Sequence, residues 1–180
     1  MNDVKETFDT NQLVETIMNK NNENFPAEAL PLIKETLLKM LEEDLSLKDV
    51  LGFTEDTLEM LYRNGYSLYQ NGKYKEALDT FNLLRELDGW DPRFTFSIAA
   101  THHKAKNYSE AAGNYMLYEV IDPQNPLPFY HLYDCFTKMG HTDLAMNALK
   151  IAHNLAGADL QYAELQGKIE LELQHLEAKI

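Results

Sequence analysis

The chain has 180 residues, 44% hydrophobic and 11% aromatic, with 16 basic and 29 acidic side chains and a net charge of −13. That is ample apolar matter for one folded domain with an appendage, and too little basic charge for a nucleic-acid footprint, so nucleic acid is excluded as a partner. A single cysteine, Cys135, excludes an internal disulfide; no apolar run reaches the roughly 20 residues of a membrane span, and Met1–Glu6 carries no signal-peptide pattern, so a cytoplasmic protein without membrane insertion is expected. Charge is uneven: residues 1–60 hold 5 basic and 14 acidic side chains (−9), the remainder 11 and 15 (−4).

In chain order, Leu13, Val14, Ile17 and Met18 fall at helical spacing and predict a short amphipathic helix over 10–19, ahead of the loop-like run Asn19–Asn24. Such a helix is too short to persist alone. Either it is a frayed terminus or it orders against a partner or a second subunit. From Pro26 a stronger stripe follows, Leu30, Ile33, Leu37, Leu38, Leu41 and Leu45, with Pro31 marking where regular helix can begin. Ser46-Leu47-Lys48-Asp49 reads as a capping box with Asp in place of Glu, opening a short turn that Gly52 ends. Thr54 is placed to cap the next helix.

From Leu58 a signature recurs. Gly72-Lys73-Tyr74-Lys75-Glu76-Ala77, Lys106-Asn107-Tyr108-Ser109-Glu110-Ala111 and Gly140-His141-Thr142-Asp143-Leu144-Ala145 place Ala77, Ala111 and Ala145 at intervals of 34 residues. That period is the mark of tetratricopeptide repeats, stacked helical hairpins that bury their apolar faces on their neighbours. Gly, Pro and Asp punctuation predicts hairpin helices at 55–71 and 74–87, 92–105 and 108–121, and 127–139 and 142–155, then a last helix at 159–178 capped by Asp159. In that last helix Tyr162, Leu165, Ile169, Leu173, Leu176 and Ile180 form one stripe and the opposite face is charged, as suits a capping helix. The expected organisation is an all-α repeat superhelix: an N-terminal helical extension over 1–57, three repeats within 58–157 (58–91, 92–125 and 126–159), and the capping helix over 159–180.

Counting each repeat from Leu58, Pro92 and Pro126, the pattern asks for a large apolar residue at position 4, a small one at 8, Ala at 20 and an aromatic at 24. The three units offer Leu61, Gly65, Ala77 and Phe81; Thr95, Ala99, Ala111 and Tyr115; and Phe129, Tyr133, Ala145 and Leu149. Thr95, Tyr133 and Asn64 depart from it. The concave face belongs to positions 2, 5, 9 and 12 of each first helix: Glu59, Tyr62, Tyr66 and Tyr69; Arg93, Phe96, Ala100 and His103; Leu127, Tyr130, Asp134 and Thr137. Three tyrosines in one row suit a binding surface, being rigid apolar rings with a hydroxyl at the tip. The other reading is that they pack on the N-terminal helices or a neighbouring subunit.

Leu58-Glu59-Met60-Leu61-Tyr62, Tyr69-Gln70-Asn71-Gly72-Lys73-Tyr74, Phe81, Leu84 and Asp91-Pro92-Arg93-Phe94 resemble the class II chaperones of bacterial type III secretion, the SycD/LcrH-type chaperones of translocator proteins. The lead-in from Ser46-Leu47-Lys48-Asp49 to Asp56-Thr57-Leu58 and the Asn125-Pro126 stretch share the resemblance, which covers about 45–155; residues 1–44 lie outside it. Phe96-Ser97-Ile98-Ala99-Ala100 stands where members often carry a glycine-containing stretch. The resemblance implies a non-catalytic protein with no cofactor that holds hydrophobic translocator subunits in the bacterial cytoplasm, an extended client segment lying in the concave groove. It maps groove residues onto Tyr62, Tyr66, Tyr69 and Tyr74, the last in the turn between the first two repeat helices. It also implies homodimerisation through N-terminal helices and, for the longer front end, a gatekeeper protein of the same system. A generic repeat adaptor is the alternative.

Other chemistries lack their residues. A clamp for a C-terminal carboxylate would resemble other tetratricopeptide domains, with a basic residue and Asn where Tyr62 and Tyr66 stand. His102 and His103 are adjacent, so a helix points them apart, and neither has a ligand partner one turn on. No phosphate loop or nucleophile motif occurs, and Cys135 reads as a small core residue.

Overall fold

The computed structural model describes residues 9–177. Every regular element among the described residues is helical. The chain divides into two compact units, one up to Glu55 and one from Asp56 onward.

In the first unit α1 (Thr10–Asn21) packs on α2 (Leu30–Glu42), and α3 (Leu47–Leu51) follows. Val14 is fully buried, and a Lys34–Glu15 ion pair ties α1 to α2. Pro31 lies in the first turn of α2, where its missing N–H costs nothing. The capping box forms with Asp: the Asp49 carboxylate accepts from Ser46 N at 2.9 Å and the Ser46 hydroxyl accepts from Asp49 N at 3.4 Å. α3 stops at Gly52, as its sequence position implies.

The second unit runs through α4 (Glu55–Gln70), α5 (Tyr74–Leu87), α6 (Pro92–Lys104), α7 (Tyr108–Ile121), α8 (Pro126–Lys138), α9 (Thr142–Ala156) and α10 (Ala163–Glu177). Asp91 and Asn125 cap α6 and α8 by accepting from Arg93 N (2.9 Å) and Leu127 N (3.0 Å), each followed by a proline whose fixed φ suits the first helical turn. The three hairpin turns are built alike. Gly72, Lys106 and Gly140, 34 residues apart, have φ of 72°, 64° and 79°, and the next residue's N–H reaches back to Leu68 O, His102 O and Phe136 O at 2.9–3.0 Å. This left-handed helix stop suits glycine; Lys106 adopts it without glycine's freedom.

Packing within a hairpin sets one position against another. A Cβ on Gly65 would meet the Phe81 ring at 2.8 Å, so position 8 is empty where position 24 is aromatic. Ala99 and Tyr115 repeat that pairing, both buried. The third unit reverses it. Leu149 is the smaller partner, and Tyr133 is half-buried against the cluster that contains it, with its hydroxyl donating to Glu172 of α10 at 3.0 Å. Asn64 is exposed and burdens no core. Thr95 is buried with its hydroxyl unpartnered, a polar group where the pattern asks for an apolar one.

The core runs through α6 to α10 around Ala99, Tyr115, Leu132, Cys135, Leu149 and Ile169, with Leu165, Leu173 and Leu176 of the last helix and Tyr162 just ahead of it laid against it. Ile180 lies outside the described residues. The single helix expected over 159–178 is corrected: Asp159 caps a 3-10 turn, Leu160–Tyr162, accepting from Gln161 N at 2.9 Å, and α-helix starts only at Ala163. Short 3-10 starts of this kind are common where a chain turns onto a helix axis.

Candidate functional site

α4 presents Tyr62, Tyr66 and Tyr69, spaced three and four residues apart on one face. They meet Phe96, Ser97 and Ala100 of α6 over Phe81 of α5, enclosing an open recess of about 220 Å³. The absence of a side chain at Gly65 brings the Phe81 ring in as its floor.

The tyrosines are held to different degrees. Tyr62 lies 5.8 Å from Phe81 and 6.0 Å from Phe94, ring centre to ring centre, with the Arg93 guanidinium 5.1 Å over its face. Arg93 is fastened in turn, its Nε and Nη2 on the Asp91 carboxylate (2.6–3.0 Å) and its Nη1 on Glu59 at 3.1 Å. Arg63 and then Arg93, both bonded to Glu59, hold its carboxyl below the usual range. Tyr66 is 49% exposed, its hydroxyl accepting from Gln70 Nε2 at 2.7 Å. Tyr69 contacts Tyr66 (6.0 Å) and Tyr74 (6.2 Å), extending the ring row to the first residue of α5; burial first, then these neighbouring phenols, raise its pKa. Tyr74 thus opens α5 instead of lying in the turn.

Past Tyr69 the groove continues into a second recess of about 390 Å³, which Tyr69, Phe96 and Ala100 share with His103, Lys104, Tyr115, His131 and Asp134. His103 Nε2 lies 2.7 Å from Asp134 Oδ2 and its Nδ1 3.4 Å from the Tyr115 hydroxyl. His131 stacks on Tyr115 (5.2 Å, 15°), and its pKa is pushed down to about 4, chiefly by burial.

Of the residues the sequence nominates, Tyr62, Tyr66, Tyr69, Phe96, Ala100, His103 and Asp134 line these recesses. Arg93 backs Tyr62, and Tyr74 touches the wall through Tyr69. Tyr130 sits beside His131 and Tyr133, half-buried on the core. Sequence reasoning passed over Ser97 and His131, both at position 6 of their repeats, which neighbours position 9 on the same helical face. Phe81 and Tyr115, which the repeat pattern places in hairpin packing, serve it and also floor the groove. Among the described residues no group of three His, Cys, Asp or Glu is placed to hold a metal. Cys135 is fully buried, which raises its thiol pKa to about 12.

A family profile for the tetratricopeptide repeat matches residues 58–91. The chain is 29% identical to the low calcium response locus protein H of Yersinia pestis over 126 residues, 70% of this chain and 75% of that one. The type III secretion translocator chaperone SycD of Yersinia enterocolitica superposes with a TM-score of 0.69 at 27% identity, over 73% of this chain and 98% of its own. PcrH of Pseudomonas aeruginosa, solved in complex with the chaperone-binding region of PopB, superposes with a TM-score of 0.64 at 30% identity, over 67% of this chain and 97% of PcrH. The chain belongs to this family, the tetratricopeptide-repeat translocator chaperones of type III secretion. It is accordingly a binding protein, not an enzyme. No helix among the described residues is long and apolar enough to cross a membrane.

Proposed function

We propose that this chain is a cytoplasmic chaperone of a bacterial type III secretion system that holds hydrophobic translocator subunits before export, gripping an extended client segment in the recesses bounded by α4, α6 and α8. The carrying observation is the Tyr62–Tyr66–Tyr69 wall over Phe81 and Phe96, an apolar recess whose rim stays half open to solvent. PcrH, which shares the fold, is solved in complex with the chaperone-binding region of PopB. A stiff, proline-containing segment loses little entropy on docking, and tyrosine faces suit its rings while their hydroxyls reach its backbone. Residues 1–57 are the segment for a homodimer or for a gatekeeper protein of the same system.

The test is co-expression with translocator subunits of the type III secretion system of the same cell. The reading requires that a membrane-active translocator, insoluble alone, become soluble and co-purify with the chain. A translocator equally insoluble with and without it overturns the reading in favour of a scaffolding adaptor. Deleting residues 1–44 must abolish either the dimer mass in solution or capture of the second partner; survival of both makes the segment a tail.

A further inference from the structure

The second recess differs in chemistry from the first. Its sides are rings: Phe96 stands edge-on to Tyr115 (5.6 Å) and to His131 (5.7 Å), and Tyr69 carries the wall across from the first recess. One carboxylate, Asp134, opens into this ring-lined space. Its side chain is 45% exposed, while the His103 side chain beside it is 17% exposed.

The hydrogen-bond chain behind the carboxylate fixes its role. The Tyr115 hydroxyl is buried, and burial drives its pKa upward, so the phenol keeps its proton. The hydroxyl lies 3.4 Å from His103 Nδ1. The Asp134 carboxylate can only accept, so His103 Nε2 donates to its Oδ2 at 2.7 Å. Tyr115 on α7, His103 on α6 and Asp134 on α8 lie in one hydrogen-bonded chain that orients the carboxylate and uses one of its oxygens. His131, stacked on Tyr115, stays uncharged at neutral pH and brings no competing cation from the floor. Lys104 also lines the recess, and its side chain is exposed. On the tyrosine side, Arg93 is taken up by Asp91 and Glu59.

Aromatic faces around an oriented carboxylate are the chemistry that recognises a guanidinium or ammonium group: the rings attract the cation through their faces, and the carboxylate accepts its N–H donors. We infer that the recess of Phe96, Tyr115, His131 and Asp134 is a cation subsite of the groove, taking an arginine in preference to a lysine side chain of the bound segment. Arginine is preferred because a flat guanidinium stacks on a ring and binds a carboxylate at once. This rests on the reading that the groove holds an extended client segment. The two recesses then divide the work: the tyrosine recess takes apolar anchors, and the Asp134 recess sets their register by charge.

The test uses the full chain and an array of synthetic extended peptides bearing spaced proline and leucine, with Arg, Lys, Gln or Glu substituted at each position in turn. At one position the Arg peptide binds about tenfold tighter than the Gln peptide, Lys falls between them, and Glu is worst. In Asp134→Asn, whose amide oxygen still accepts from His103, that Arg-over-Gln ratio collapses to near unity; a melting curve matching wild type shows the fold is kept. Binding with no Arg preference at any position overturns the subsite alone, as does a preference that survives in Asp134→Asn. Failure of every peptide to bind the wild-type chain overturns the groove reading and the subsite together.

Discussion

Tyr66 gives the sharpest test of the groove, because it contributes little to the fold and much to the wall. It is 49% exposed, whereas Tyr62 is wedged between Phe81, Phe94 and Arg93 and would cost stability if truncated. A tyrosine fully withdrawn from water buries about 150–250 Å². Half of that leaves about 100 Å² for a client to cover, worth about 2.5 kcal/mol at about 25 cal/mol per Å². Alanine retains a little of this, so Tyr66→Ala removes about 2 kcal/mol of binding, a Kd roughly 30-fold weaker. Tyr66→Phe keeps the ring and loses only the hydroxyl that accepts from Gln70, and stays within about threefold of wild type. Titration calorimetry with the chaperone-binding segment of the co-purified client reads both, and thermal melts confirm folding. A Kd for Tyr66→Ala within about twofold of wild type, with an unchanged melt, would refute the assignment of this wall to the client.

Three further outcomes follow from the fold. Lys106→Gly places glycine at a φ of 64°, as the matching turns at Gly72 and Gly140 already do, and stabilises the chain by about 0.5–1 kcal/mol in urea titration. Thr95→Val replaces a buried, unpartnered hydroxyl with a methyl and gains about 1 kcal/mol in the same titration. His131 has its pKa lowered from 6.5 to about 4 in the folded chain, so the unfolded chain takes up the proton first as pH falls. Its contribution is therefore intact above about pH 6.5 and is lost progressively down to about pH 4, amounting to about 3 kcal/mol. The difference between the stability–pH profiles of wild type and His131→Gln isolates it, and a flat difference across that window would contradict the burial of the imidazole.

The repeat was legible because its determinants are local and periodic. The 34-residue spacing of the hairpin turns is written in Gly72, Lys106 and Gly140, and the helix starts in Asp91-Pro92 and Asn125-Pro126. The tyrosine row was legible for the same reason, since one helix carries all three. What could not be read lies between helices. Nothing in the spacing of His103, Tyr115 and Asp134 says that residues on α6, α7 and α8 join in one hydrogen-bond chain. Nor does it say that Arg93, a groove cation by position, is occupied by Asp91 and Glu59. The exchange of large and small between Gly65/Phe81 and Tyr133/Leu149 looks like two separate departures in sequence and becomes one compensated packing choice in three dimensions.

The first unit poses the opposite case, a strong sequence pattern with little core beneath it. Among its described residues Val14 alone is buried; Leu30, Ile33, Leu37 and Leu38 are half-buried, and Leu32, Leu41 and Leu51 are exposed. Two helices of 12 and 13 residues cannot offset their ordering entropy with one buried valine, whatever their helix propensity. Covering that stripe with another surface would supply the burial the two helices lack. The net charge of −7 over residues 1–55, from 5 basic and 12 acidic side chains, disfavours acidic partners for that surface. Apolar area to supply a drive and charge to supply a selection are what the proposal of residues 1–57 as a segment for a second subunit or a gatekeeper calls for.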